Sequence, residues 1–95
     1  MRGRPVRYSD HLEDRLALRH IERDVPEGII RVAERRFTDT ATGYQIAVAT
    51  VIYRGADHLM MVAFEETENE IVAVSIHPLE EQDVERKIRN GRWIA

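Results

Sequence analysis

The sequence predicts an α+β domain in which an N-terminal helical hairpin packs on a four-stranded antiparallel sheet, followed by a short C-terminal helix. Two helix start signals precede residue 37, and from Phe37 onward runs of β-branched and aromatic residues alternate with short turns. A chain of 95 residues has room for a single hydrophobic core. Residues 1–95 are therefore predicted to form one domain.

The first helix is predicted from its capping residues. Residues 1–7 should form a loose arm or a short edge strand that leads into it. Ser9 or Asp10 can then cap a helix that runs to about His20. Glu13 follows Asp10 by three residues, which is the spacing of a capping box.

The other two helices have start signals that contain proline. Asp24-Val25-Pro26-Glu27 begins the second helix, because the first helical turn tolerates proline and favours acidic side chains. We expect this helix to form a hairpin with the first. The third helix should run from Leu79 to Asn90, after Pro78, with Gly91 as its stop signal.

Four segments between the second and third helices have the composition of strands. Gly, Asn and Asp occur in the short segments between them, which favours antiparallel hairpins. The predicted strands are Phe37–Thr40, Tyr44–Tyr53, His58–Glu66 and Ile71–His77.

The two longest of these strands are apolar on both faces, which is unusual for a sheet with one solvated face. The N-terminal helices can cover one face. The C-terminal helix, a second subunit or a partner protein must cover much of the other, so we expect a homodimer or a heteromer. A single chain that buries Met60, Met61 and Phe64 by itself would contradict this reasoning.

The composition excludes several classes of function. The chain has no Cys, which excludes disulfides, thiol catalysis and cysteine-based metal sites. Its net charge of −3 argues against a non-specific nucleic-acid coat. No apolar run is long enough to span a membrane and no signal-peptide core is present, so we expect a cytoplasmic protein. Nucleotide-binding and hydrolase motifs rich in glycine are also absent.

The candidate catalytic residues are His11, Arg15 and Arg19. They recur at positions i, i+4 and i+8, so a helix places one imidazole and two guanidinium groups along a single stripe. Such a stripe suits an anion such as phosphate, with a base at one end. In the alternative interpretation, the arginines pair with Glu13, Glu22 or acidic groups of the sheet, and His11 is a surface residue.

No metal or other cofactor is predicted. His58 and His77 should lie near the same end of the sheet, but no third ligand has a spacing that marks a zinc site. The acidic residues around the last predicted hairpin lack the spacing of a calcium loop, so we interpret them as a solvated edge that resists aggregation. These residues are Glu65, Glu66, Glu68 and Glu70.

The order of elements and two short motifs resemble a known group of proteins. The motifs are Tyr8-Ser9-Asp10-His11 followed by Arg15, Arg19 and Ile21, and the strand Ile71-Val72-Ala73-Val74-Ser75-Ile76-His77-Pro78. Across about residues 7–93 the chain resembles small uncharacterised domains of the RelE/BrnT-like toxin superfamily, which typically open with Ser-x-His and arginines along the first helix.

This resemblance implies a toxin of a toxin–antitoxin system that cleaves RNA without a metal and is held inactive by an antitoxin-like protein. His11, Arg15 and Arg19 match the helix motif of the family. The alternative function is a dimeric, non-catalytic protein-interaction domain, whose apolar and charged surfaces recognise protein.

Overall fold

The computed structural model describes residues 4–95, so residues 1–3 of the predicted arm lie outside the described residues. In this described part of the chain, three helices and six strands form an α+β fold. In chain order they are β1 (Val6–Tyr8), α1 (Asp10–Arg19), α2 (Val25–Val32), β2 (Arg35–Asp39), β3 (Gln45–Tyr53), β4 (Ala56–Glu66), β5 (Ile71–Leu79), α3 (Glu81–Arg89) and β6 (Trp93–Ile94). None of these helices combines the length and the apolar character needed to cross a membrane.

The strands form one mixed sheet in the order β1-β5-β4-β3-β2-β6. β1 pairs with β5 in parallel, and the other pairs are antiparallel. The prediction of a four-stranded antiparallel sheet is therefore wrong, because β1 and β6 extend the sheet at its two edges. Strands of three and two residues are too short to show an alternating pattern, and each pairs with a segment far away in the chain.

The four predicted strands correspond to β2 to β5, and their ends differ from the predicted ones by at most two residues. β5 continues through Pro78, where the sequence predicted that it would end. β1 pairs only as far as Ala73, so within residues 4–95 no strand lies beside the outer edge of β5 at Pro78. Proline is accepted in an edge position because no neighbouring strand needs its missing N–H group. As a result α3 begins at Glu81 rather than Leu79.

One of the two capping interactions predicted for the start of α1 is present. Ser9 is the cap, and its Oγ accepts a hydrogen bond of 3.1 Å from the Leu12 N–H. The capping box between Asp10 and Glu13 does not form. The Glu13 carboxylate instead pairs with Arg23, in the segment that leads to α2. This ion pair ties the two helices together at the surface.

α1 and α2 cover one face of the sheet, which we call the α1/α2 face. α1 lies against β5, whereas α2 lies across β3, β4 and β5, so each helix packs mainly on the sheet. The buried side chains of this core are Leu12, Leu16, Ile21, Ile29, Ile30, Ala33, Ala47, Met60, Val62, Phe64, Ile71, Ala73 and Ile76.

A second, smaller core lies on the opposite face, which we call the α3 face. It is closed by α3 and by Trp93 of β6, and it contains Ile46, Val48, Met61, Ala63, Val84 and Trp93. Met60, Met61 and Phe64 are 0%, 8% and 4% exposed within one chain. The C-terminal helix, one of the three covers considered for this face, closes it together with β6, so the step from an uncovered apolar face to a partner is wrong. Association itself stays a prediction.

Candidate anion-binding groove

α1 lies along the outer edge of β5 and is fixed to it at both ends. At the start of the helix, the Ser9 N–H donates to the Ala73 carbonyl over 3.0 Å, and Ser9 Oγ donates to the Val74 carbonyl over 3.1 Å. At its end, Arg19 Nη1 donates to the Ile76 carbonyl over 3.3 Å. The contacts with Val74 and Ile76 satisfy carbonyl groups on the part of the edge that β1 leaves uncovered.

The helical spacing of α1 places the predicted stripe beside this edge. Leu12 and Leu16 are buried in the core. Arg15 precedes Leu16 by one residue, and His11 precedes Leu12 in the same way, so the stripe borders the buried side of the helix. Arg15 and Arg19 are accordingly half-buried, whereas His11 is exposed.

The three predicted site residues lie on one stripe, and a fourth residue from the sheet joins them. Arg15 Nε donates to His11 Nε2 over a long distance of 3.4 Å. Arg19 Nη1 lies 3.2 Å from Nδ1 of His77, a residue of β5. His77 thus extends the stripe into a cluster of two imidazole and two guanidinium groups, which we call the α1–β5 cluster.

The alternative interpretation of the stripe, in which Arg15 and Arg19 pair with carboxylates, does not hold for residues 4–95. Within that part of the chain neither arginine forms an ion pair, and Glu13 pairs with Arg23. Seven other arginines do form ion pairs with carboxylates: Arg4, Arg7, Arg23, Arg31, Arg35, Arg86 and Arg92. The α1–β5 cluster therefore combines two guanidinium charges that no carboxylate of the described chain neutralises by direct contact.

A shallow groove of about 430 Å³ opens beside the cluster. Its walls combine the two imidazoles with hydroxyl groups and one half-buried aromatic ring, so they offer several hydrogen-bond donors to a ligand. The residues that line it are Ser9, His11, Tyr44, Val74, Ser75 and His77.

The electrostatic environment of His77 is uniformly basic. Burial lowers the pKa of its imidazole, and electrostatic interactions with Arg19, Arg15, His11 and Lys87 lower that pKa further. Lys87 belongs to α3, so the cations approach His77 from both neighbouring helices. His77 is therefore a neutral imidazole at pH 7, in surroundings that favour an anion.

His58 does not join His77, although both lie toward one end of the sheet. His58 pairs with Val51, and its ring meets the Tyr53 ring edge-on, with 5.5 Å between centroids, on the α1/α2 face. His77 pairs with Met61 and therefore lies on the α3 face. Within the described part of the chain, no group of three His, Cys, Asp or Glu side chains is placed to hold a metal ion.

The acidic residues of the β4–β5 hairpin bind the N-terminal arm. Arg7 donates to both carboxylate oxygens of Glu70, over 3.1 and 3.0 Å, and Arg4 pairs with Glu66. Glu66 and Glu70 therefore help to hold the N-terminal arm against β5, and they also belong to the predicted solvated edge. Because the β1–β5 pair leads directly into α1, these contacts also help to position the α1–β5 cluster.

The sequence identified three members of the cluster and missed the role of the fourth. The spacing of His11, Arg15 and Arg19 is visible in a helix, whereas the contact of Arg19 with His77 depends on β1 pairing in parallel with β5. No spacing in the sequence signals that pairing. The only indication was the position of His77 at the end of a predicted strand.

Comparison of the chain with protein-family models, with curated proteins and with solved structures found no match. The fold and the groove define an α+β protein in which an imidazole-containing groove lies beside two arginines, at one edge of a six-stranded mixed sheet.

Proposed function

We propose that the protein is a metal-independent endoribonuclease of the RelE/BrnT-like toxin type, and that it binds the phosphodiester backbone of RNA in the groove beside the α1–β5 cluster. One observation carries the proposal. Arg15 and Arg19 have no carboxylate partner among residues 4–95, and they lie directly beside the imidazoles of His11 and His77. Guanidinium groups bind phosphate oxygens in pairs of hydrogen bonds, and imidazoles transfer protons near neutral pH.

In the proposed reaction, His11 is the general base. Its imidazole takes the proton of the ribose 2′-hydroxyl, and the 2′-oxygen attacks the adjacent phosphorus. The bond from phosphorus to the 5′-oxygen then breaks, which gives a 2′,3′-cyclic phosphate and a 5′-hydroxyl. The leaving 5′-oxygen takes its proton from water, which reaches the open groove, and no metal is required.

Arg15 and Arg19 act on the charge of the phosphate. They bind the phosphodiester before the reaction and stabilise the additional negative charge of the phosphorane as it forms. Arg15 and Arg19 are half-buried residues, so their charge is screened less by solvent than that of a fully exposed arginine.

The proposal predicts different effects for the three residues of the stripe. His11→Ala should lower the rate of RNA cleavage by about 100-fold, because it removes the general base. Arg15→Ala and Arg19→Ala should weaken RNA binding, and each should reduce the dependence of log affinity on log salt concentration by about one. Cleavage of a labelled single-stranded RNA in the presence of EDTA, together with binding at several salt concentrations, measures both effects.

A matched control is Arg54→Ala, which removes the same charge from the β3–β4 turn. The Arg54 guanidinium lies 5.2 Å from the centroid of the Tyr53 ring and is not part of the α1–β5 cluster. We expect this variant to cleave and bind RNA like the wild type. Thermal unfolding of all four variants separates loss of folding from loss of function. Unchanged cleavage in all three stripe variants would end the catalytic proposal.

The resemblance also supports the proposal of a protein partner, either an antitoxin-like protein or a second copy of the chain. The exposed large apolar side chains are distributed over five elements, and they are Leu18, Val32, Ile52, Ile88 and Ile94. A chain that forms dimers, does not bind RNA at low salt and does not arrest growth when expressed would support the alternative function, a non-catalytic interaction domain.

A further inference from the structure

We propose that His77 is a neutral hydrogen-bond donor to the bound phosphate, and that Arg19 is the positioning residue that keeps the proton on Nε2 of its ring. This inference rests on the proposed function, because it assigns a role toward a phosphate bound in the same groove. It gives the two histidines different tasks. His11 transfers the proton, whereas His77 orients the phosphate.

The hydrogen bond between Arg19 and His77 determines which ring nitrogen of His77 carries the proton. Arg19 Nη1 lies 3.2 Å from His77 Nδ1. A guanidinium group remains charged in proteins and can only donate hydrogen bonds, so Nδ1 must be the acceptor and carries no proton. A neutral imidazole has one N–H group, which is then on Nε2.

The surroundings of His77 favour the uncharged form of its ring. The charged and titratable groups that act on His77 are Arg19, Arg15 and His11 from α1 and Lys87 from α3, and each lowers its pKa. Burial acts in the same direction and is the largest cause. A ring that stays neutral at pH 7 is a poor general acid, because its remaining N–H is very weakly acidic, but that N–H is a good hydrogen-bond donor.

The N–H group on His77 Nε2 is free to bind a ligand. Within residues 4–95, His77 Nε2 has no hydrogen-bond partner. Every buried side-chain nitrogen or oxygen in this part of the chain does have a partner. His77 Nε2 is therefore not buried but accessible to solvent. His77 lines the groove, which makes a ligand in the groove its natural partner. Arg19 is itself held by the Ile76 carbonyl, so the backbone that precedes His77 also fixes the orientation of its ring.

The tautomer can be measured directly by long-range ¹H–¹⁵N correlation on the uniformly labelled full chain at pH 7.5. His77 should show an unprotonated Nδ1 and a protonated Nε2. Arg19→Ala should replace this pattern with a mixture of tautomers, whereas the matched variant Arg15→Ala should leave it intact, because Arg15 contacts His11. A wild-type His77 with its proton on Nδ1, or a pattern that Arg19→Ala does not change, would overturn the inference.

Binding of a 2′-deoxy oligonucleotide tests the role of the donor, since this probe cannot be cleaved. His77→Ala should weaken binding by about 10-fold, as expected for the loss of a hydrogen bond to a charged group. His77→Gln places an amide N–H near the position of Nε2 and should restore most of the affinity. His77→Asn places its amide near Nδ1 and should not. Equal affinities for the Gln and Asn variants would contradict the assignment.

Failure of the two proposals can be distinguished. A protein that shows the expected tautomer and binds the 2′-deoxy probe through His77, but does not cleave RNA, would retain the donor role and lose the proposed catalysis. A protein that cleaves RNA through His11 and has the opposite His77 tautomer would retain the function and lose this inference.

Discussion

Trp93→Ala is expected to lower the free energy of unfolding by about 3–5 kcal/mol. Trp93, two residues before Ala95, is 3% exposed. Its ring stacks on Phe37 with 5.4 Å between centroids, and it shares the core of the α3 face with Val84, which is fully buried. An alanine at this position would leave a cavity in the smaller of the two cores.

Ile94→Ala is the matched control for this substitution. Ile94 is the other residue of β6 and is 51% exposed, so its truncation should cost less than about 1 kcal/mol. Urea unfolding of the two variants and the wild type gives both values. If both variants lost an equal, small amount of unfolding free energy, Trp93 would contribute little to the core and would not close the α3 face.

The same segment explains why part of the fold could not be predicted from the sequence. β6 contains two residues and β1 contains three, and such lengths cannot display the alternation that identified β3 and β4. Their pairing is also non-local, since Val6 pairs with Ile71 and Trp93 with Asp39. The longer elements were predictable because capping residues, prolines and β-branched runs indicate local structure.

The candidate site could likewise be predicted from the sequence only where its residues share one element. One helix carries His11, Arg15 and Arg19, so its period of 3.6 residues was enough to bring them together. His77 reaches them only because β1 pairs in parallel with β5 and delivers α1 to the edge of that strand. Non-local contacts of this kind depend on the tertiary arrangement, which local patterns of sequence do not encode.

Asp39 also has a partner that is distant in the chain, Arg92, and it is expected to make the stability of the protein depend on pH. Its side chain is 8% exposed. Oδ1 accepts hydrogen bonds from the N–H groups of Ala41 and Thr42, over 2.9 and 3.1 Å, and from Arg92 Nε over 2.7 Å. These bonds close the β2–β3 turn and attach it to the segment that leads into β6.

These contacts set the pKa of Asp39. Burial by itself raises the pKa, but the hydrogen bonds from Arg92, Thr42 and Ala41, together with the charge of Arg92, lower it to about 2. The ordinary value is 3.8, so the unfolded chain binds this proton more tightly than the folded chain does. The ionised carboxylate therefore stabilises the fold above about pH 4, and this stabilisation is lost as the pH falls toward 2.

Asp39→Asn is expected to remove this contribution, which is about 2 kcal/mol at pH 7. The variant should thus be less stable than the wild type at pH 7, and the difference between the two should shrink between about pH 4 and pH 2 as the wild-type carboxylate is protonated. Glu81→Gln is the control, because it removes an exposed ion pair with Arg35, which solvent screens, so it should change the free energy of unfolding little. Urea unfolding across this pH range measures each difference. A difference between wild type and Asp39→Asn that stays constant from pH 7 to pH 2 would show that Asp39 contributes through the shape of the turn and not through its charge.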